Sequence, residues 1–226
     1  MNLKIASTLI FTLMVMHHVD ASDSMQLLPS IVKLDVLDTG RILESICPPA
    51  DTHNTGTMAH DSSSIPLHIL ANVKPASDDE AIRQLCILRM LAGSGYDINE
   101  ADKSGRTALV IAIENGNERL AINLLRMKAD PNVKHRRSDL PGDLDVPVLH
   151  LAAARSICLR ELLSFGANLD ATDSGGHTAL HYAASMNQRQ SYNILSNSGA
   201  KDIPSKNGSL ASEIMELKEK SIRTKQ

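Results

Sequence analysis

The sequence predicts an all-α solenoid: stacked helix-turn-helix units closed at each end by a helical cap. Three observations lead there. Of 226 residues, 42% are hydrophobic but only 2% are aromatic, with no Trp, two Phe and three Tyr. A core of Leu, Ile, Val and Ala suits closely packed helices better than a sandwich of strands. Next, "DSGGHTALHYAASMNQRQSYNILSNSGAKDI" (Asp173 to Ile203) lies over "DKSGRTALVIAIENGNERLAINLLRMKADPN" (Asp102 to Asn132) without a gap. An Asp, a Gly, Thr-Ala-Leu, an Ala, a late Leu and the closing Ala coincide. Finally, the positions before that closing residue are Gly95, Lys128, Gly166 and Gly199, spaced 33, 38 and 33 residues apart. Self-similarity at a fixed period is the signature of a repeat architecture.

The elements follow in chain order. Residues 1–21 read as a signal peptide: a basic Lys4, the uncharged run "IASTLIFTLMVM" (Ile5 to Met16), then a polar stretch ending Val19-x-Ala21, with cleavage after Ala21. The run is shorter than the roughly 20 residues a membrane span needs, and no later segment is long and apolar enough to span. Residues 22–47 place Leu27, Leu28, Ile31, Leu34 and Leu37 at helical spacing, then Gly40, then Ile42, Leu43 and Ile46. They read as a helical N-terminal cap. Residues 48–64, "PPADTHNTGTMAHDSSS", read by composition as a flexible linker whose His53 and His60 are solvated. Residues 65–203 hold about four repeats. Residues 204–226 read as a C-terminal capping half-repeat and a basic tail, with Asn207-Gly208 as a turn.

Within a repeat each residue type has a physical job. Thr178 is a good helix N-cap, and His181 falls at the third helical position, where its imidazole can bond back to the cap. Leu180, Ala183 and Ala184 point inward, the alanines letting neighbouring helices approach closely. Ile194 and Leu195 are the buried pair of the second helix. Gly199 ends that helix in the left-handed conformation, which costs other residues about 1 kcal/mol or more. Lys128 stands at the same position, so repeat two is expected to be the less regular unit. Asp173 and Gly176 shape the turn into the first helix. The pair His177 and His181, four residues apart, mimics a metal-ligating helix face. A metalloprotease helix needs Glu after its first His, and Thr178 stands there instead. The reading is therefore structural, with no metal and no cofactor.

"HTALHYAA" and "GANLD" are the most specific pieces, and through them the repeat resembles the ankyrin repeat, with its 33-residue period and Thr-Pro-Leu-His-x-Ala signature. Repeat one begins at "IPLHILA", ends "GYDIN" and carries about nine extra residues around "NVKPASDDE" between its helices. Repeat two has Val110 at the His position. Repeat three has Pro147 at the Thr position and a second helix shortened by two residues. The resemblance implies a binding protein whose first helices and projecting finger loops line a concave face.

The chemistry classes thin out accordingly. A net charge of −3 argues against nucleic acid as a partner. Cys47, Cys86 and Cys158 are too few and too odd in number for a disulfide framework. No phosphate-binding glycine loop and no nucleophile elbow occurs. The expected activity is non-catalytic binding of a protein partner by a monomer exported as a secreted effector or a periplasmic accessory protein. The alternative is an enzyme or inhibitor whose active element lies in residues 22–64. From helix end to next helix start takes 19 residues between repeats two and three, against 12 at the other junctions. The added residues lie in "VKHRRSDLPGDLDV" (Val133 to Val146), a basic cluster of Lys134, His135, Arg136 and Arg137 followed by Asp139, Asp143 and Asp145. Arginine forks there suit bidentate binding of carboxylates. By position the candidate partner-binding residues are Lys103, Arg106, Glu114 and Asn115 of repeat two, Arg136, Arg137, Asp143 and Asp145 of the insert, Arg155 of repeat three, and His177, Ser185 and Met186 of repeat four.

Overall fold

The computed structural model describes residues 66–102, 104–137 and 144–223, together with the single helical residue Val36. The expected signal peptide (1–21), linker (48–64) and, Val36 apart, N-terminal cap (22–47) lie outside the described residues, as does Cys47. The chain divides into two compact units, Met1–Asp102 and Lys103–Gln226.

In the first unit, α1 (Pro66–Asn72) opens on a proline, which suits the first helical position because its missing N–H has no partner to lose. A short connection then leads to α2 (Asp78–Gly93), sixteen residues long. The extra length of repeat one thus goes mainly into the second helix rather than into a loop, a correction to the sequence expectation. The local chemistry explains it. Ser77 accepts from the Glu80 N–H at 3.2 Å, Glu80 accepts from the Ala76 N–H at 2.7 Å, and Asp78, Asp79 and Glu80 sit where the helix dipole favours anions. Gln84, buried, donates to the carbonyls of Leu70 and Val73 and so terminates α1.

The second unit is a two-layer stack of helix pairs. Its inner layer is α3 (Ala108–Glu114), α5 (Val148–Arg155), α7 (Ala179–Ser185) and α9 (Ala211–Arg223). Its outer layer is α4 (Glu118–Arg126), α6 (Leu159–Ser164) and α8 (Arg189–Asn197). Helix α5 packs between α3 and α7, and α7 between α5 and α9, so each first helix is covered by the next. The small residues make this possible: Ala112, Ala152, Ala153, Ala183 and Ala184 are all fully buried at the contacts. Leu109, Leu124, Leu162, Leu180 and Leu195 fill the space between layers. Ile194 is only half-buried, so the expected buried pair of α8 is Leu195 alone.

Between α4 and α5 the insert folds into a two-stranded antiparallel hairpin, β1 (Lys134–Arg137) and β2 (Leu144–Pro147). Successive strand residues point to opposite faces. His135 and Val146 pair inward and are buried, whereas Arg136 and Asp145 pair outward and are exposed. The basic cluster seen in the sequence is therefore split by the pleat. The Arg136 N–H also donates to the Ser104 carbonyl at 2.8 Å, tying the hairpin to the turn before α3. Gly105, at φ +73°, permits this approach: a Cβ there would stand 3.2 Å from the Lys134 carbonyl oxygen.

The left-handed helix ends fall where the repeat alignment puts them, at Gly95, Gly166 and Gly199 (φ 87°, 90° and 93°), and Lys128 takes φ 69°. Repeat three, rather than repeat two, is the irregular unit. Cys158 adopts left-handed backbone (φ 52°), whereas the left-handed Ser156 (φ 59°) matches Gly116 and Asn187 (φ 74° and 55°) of repeats two and four, and α6 has only six residues against nine in α4 and α8. Deleting two residues forces the connection to turn more sharply and shortens the helix that follows. Replacing Lys128 by Gly relieves the strain in repeat two. Lys128→Gly should shift urea unfolding to a higher midpoint at unchanged slope, a gain of about 1 kcal/mol.

Candidate functional site

The inner-layer helices are held in register by a bond that repeats along the stack. In α7, the Thr178 N–H donates to His181 Nδ1 at 3.2 Å, and the Thr178 hydroxyl lies 3.0 Å from the same nitrogen. Nδ1 accepting fixes the tautomer, so Nε2–H donates onward to the Ser209 carbonyl at 3.0 Å, at the entrance to α9. His150 of α5 makes the equivalent reach, its Nε2 standing 2.8 Å from the His177 carbonyl at the entrance to α7. Each histidine thus caps or faces its own helix start and clasps the next unit.

Departures from the pattern leave visible gaps in this chain of bonds. Pro147 offers His150 neither an N–H nor a hydroxyl, and His150 Nδ1 is buried with no hydrogen-bond partner. Val110 replaces the histidine of repeat two, and there the Thr107 hydroxyl is the buried group without a partner. Burial, opposed by the His177 backbone bond and the Asp173 charge, pulls the His150 pKa down to about 4. Asp173 sits beneath the α7 turn, accepting from the backbone N–H groups of Gly175 and His177 at 2.8 Å each and from the Tyr182 hydroxyl at 3.0 Å. The His177 ring lies 3.2 Å away. Burial alone would raise the Asp173 pKa; these hydrogen bonds and the His177 ring outweigh it and hold the carboxyl below its ordinary range.

Around this scaffold the sequence-derived candidates fall into three groups. Lys103 and Asp143 lie outside the described residues, and of Arg137 only the strand position is described. Arg106, Glu114 and the hairpin come together: Arg106 pairs with Glu114 at 3.7 Å, and the buried His135 ring stands 4.0 Å from the same carboxylate. Arg136 and Asp145 project from the outer face of the hairpin. At the C-terminal ends of the first helices, equivalent positions of successive repeats carry Asn115, Arg155 and Met186, preceded by Glu114, Ala154 and Ser185. Arg155, Ser185 and Met186 are exposed, Met186 by 59%. His177 is one-third exposed and bound to Asp173, so it belongs to the turn as much as to the surface. Sequence reasoning missed His135, His150 and Asp173 as a buried polar set; the Thr-x-x-His spacing at Thr178 was the signal available for the first-helix histidines.

Depressions mark the surface of the described residues. One of about 500 Å³ lies beside the hairpin base, between Lys134, Pro147 and Leu149 and the turn residues Asn168 to Thr172. There the Asn132 side chain bridges repeats, accepting from the Asn168 N–H at 2.7 Å and donating to the Gly166 carbonyl at 3.1 Å. A larger groove of about 770 Å³ runs between α6 and α8, lined by Arg160, Leu163, Arg189 and Ile194 among others. Arg189 on its rim pairs with Glu219 of α9.

Cys158 is buried against the Glu118 carbonyl, and burial, with the Glu118 and Glu161 charges, pushes its thiol up to about 12, far from a usable thiolate. Among the described residues no group of three His, Cys, Asp or Glu side chains is placed to hold a metal ion, and no helix is long and apolar enough to cross a membrane.

Stacked helix pairs, left-handed helix ends and a hairpin finger define the class: the second unit is an ankyrin-repeat solenoid. Family models agree, one for a single ankyrin repeat matching residues 104–136 and one for ankyrin repeats matching 137–207. The chain is 35% identical over 124 residues to inversin of Canis lupus familiaris, and 34% identical over the same length to inversin of Mus musculus and of Homo sapiens. These alignments take in 51% of this chain but 11% of each inversin, so the likeness is to a small part of much longer proteins.

The buried histidine gives the fold a pH dependence of known sign. His150 titrates at about 4 when folded and near 6.5 when unfolded, so the unfolded chain gains a proton first as pH falls. Stability should drop between pH 6.5 and 4 by roughly 3 kcal/mol more than in a His150→Gln variant, read from denaturant unfolding at each pH. Asp173, whose folded pKa is depressed, adds stability that is present above its unfolded value and is lost only at lower pH still.

Proposed function

We propose that this chain is a non-catalytic binding protein that holds another protein on the face made by its first-helix ends and hairpin. One observation carries the reading. The repeat chemistry occupies every inward position, while the side chains at the helix ends and on the outer hairpin face differ from repeat to repeat and remain exposed: Arg136, Asp145, Arg155, Ser185 and Met186. Positions that the stack does not need are the ones that can specify a partner. Ankyrin repeats generally serve protein–protein interaction, which is consistent with this division.

We place the protein outside the cytosol, as a secreted effector or a periplasmic accessory protein, on the strength of the basic Lys4, the Ile5 to Met16 run and the Val19-x-Ala21 ending. The enzyme-or-inhibitor alternative rests on residues 22–64, which, Val36 apart, lie outside the described residues, and no observation favours it.

The test uses the tagged full chain expressed in its native source, with co-purifying proteins quantified by mass spectrometry. Charge reversal at Arg136 or Arg155 should cut recovery of the specific partner at least tenfold without moving the thermal midpoint, since both side chains are exposed. Recovery unchanged across these variants would remove the face from consideration. The same preparation gives the N-terminal residue: Ser22 supports export, and a retained Met1 in cytosol overturns it.

A further inference from the structure

Resting on that binding reading, we infer that the helix-end column recognises an extended acidic-apolar segment of the partner, a carboxylate seating on Arg155 and an apolar side chain on Met186. The other charges at and beneath the column are already answered. Glu114, at the repeat-two end, is paired with Arg106 and flanked by His135. Asp173, beneath repeat four, is buried under two backbone N–H groups, the Tyr182 hydroxyl and the His177 ring. Arg155 is exposed and has no ion pair among the described residues. Among the described residues, the helix-end column therefore presents one unanswered cation and no unanswered anion.

Beside that cation stands an apolar anchor. Met186 occupies the same repeat position one unit further on and is 59% exposed. A flexible thioether adapts to varied apolar side chains. Helices α5 and α7 are packed neighbours, and packed helices lie about 8–10 Å apart. An extended chain advances about 3.3 Å per residue, so a segment running along the stack meets Arg155 and Met186 with residues about two or three positions apart. A guanidinium binds a carboxylate through two parallel N–H donors, which gives the contact direction as well as charge. Asp145, the exposed carboxylate on the hairpin, lies opposite Arg136 in register. It would sit poorly with an acidic segment crossing the finger, which confines that segment to the column.

The test is selection of a random-peptide display library on the immobilised full chain. Enriched peptides are then synthesised and titrated by fluorescence anisotropy against wild type, Arg155→Glu, Arg155→Lys, Met186→Ala and Arg136→Glu, each checked for unchanged circular dichroism. Enrichment should give an Asp or Glu two or three positions from a Leu, Ile, Met or Phe. Arg155→Glu should weaken binding at least tenfold, Arg155→Lys severalfold through loss of the fork, Met186→Ala severalfold, and Arg136→Glu little. Failure to enrich that motif, or binding indifferent to Arg155→Glu, overturns the inference. Peptides that instead respond to Arg136→Glu would overturn it while leaving the face as a binding surface. Peptides indifferent to all four variants would sink the binding face as well.

Discussion

A pair of short helices has too little surface to bury its own apolar side, and everything in the second unit follows from that deficit. Helices of six to nine residues are too short to persist alone in water. They survive because α5 and α7 are each sandwiched between two other first helices, and because alanines at the contacts let backbones come close. Stability in such a stack is the sum of units and their interfaces. The interface here is partly polar: His181 and His150 each send Nε2 to a carbonyl at the start of the next unit. A buried imidazole without such a partner would cost more than the bond returns, so the clasp and the apolar contact depend on one another. The terminal helix α9 shows the same logic. It takes the place of a first helix, with Asp202 accepting from the Ala211 and Ser212 N–H groups at its start, and it covers α7 so that the last repeat is not left open.

Much of this is legible in the sequence, for a definite reason. The period, the Thr-x-x-His cap, the buried leucines and alanines and the positive-φ helix ends are each one residue answering one local demand. Local demands are written locally. The repeat alignment puts Lys128 where the other repeats carry a glycine, and the chain accepts the left-handed backbone there rather than adjusting the turn. What resists reading depends on two changes compensating each other across space. The shortened second helix of repeat three is visible as a count, but its consequence, the left-handed backbone of Cys158 at the start of α6, comes from how the connection must turn in space. The insert is visible as seven added residues, but only the pleat decides that His135 goes in and Arg136 goes out. Its run of basic residues suggests one patch because a sequence has no faces.

The candidate face is the least legible part, and the reason is physical. Its residues are defined by having no structural duty, so no pattern marks them. Arg106 and Arg155 look alike in the sequence, and both are candidates by position. In the fold Arg106 is spent on Glu114 while Arg155 is not. That difference comes from the hairpin, which brings His135 to the same carboxylate and ties its own backbone to Ser104.

The departures from the repeat pattern are therefore connected. Pro147 begins α5 without a cap donor, leaving His150 with one ring nitrogen unanswered, and the same proline ends β2. A threonine there would complete the cap as Thr178 does in repeat four. Proline instead fixes φ at −61°, and with ψ at 143° its extended backbone lets strand β2 run directly into the helix. The chain gives up one buried hydrogen bond at the junction where it gains a finger. Stability in the stack and variety on its face draw on different residues of each repeat, and the junction between repeats two and three is where the two requirements meet in a single side chain.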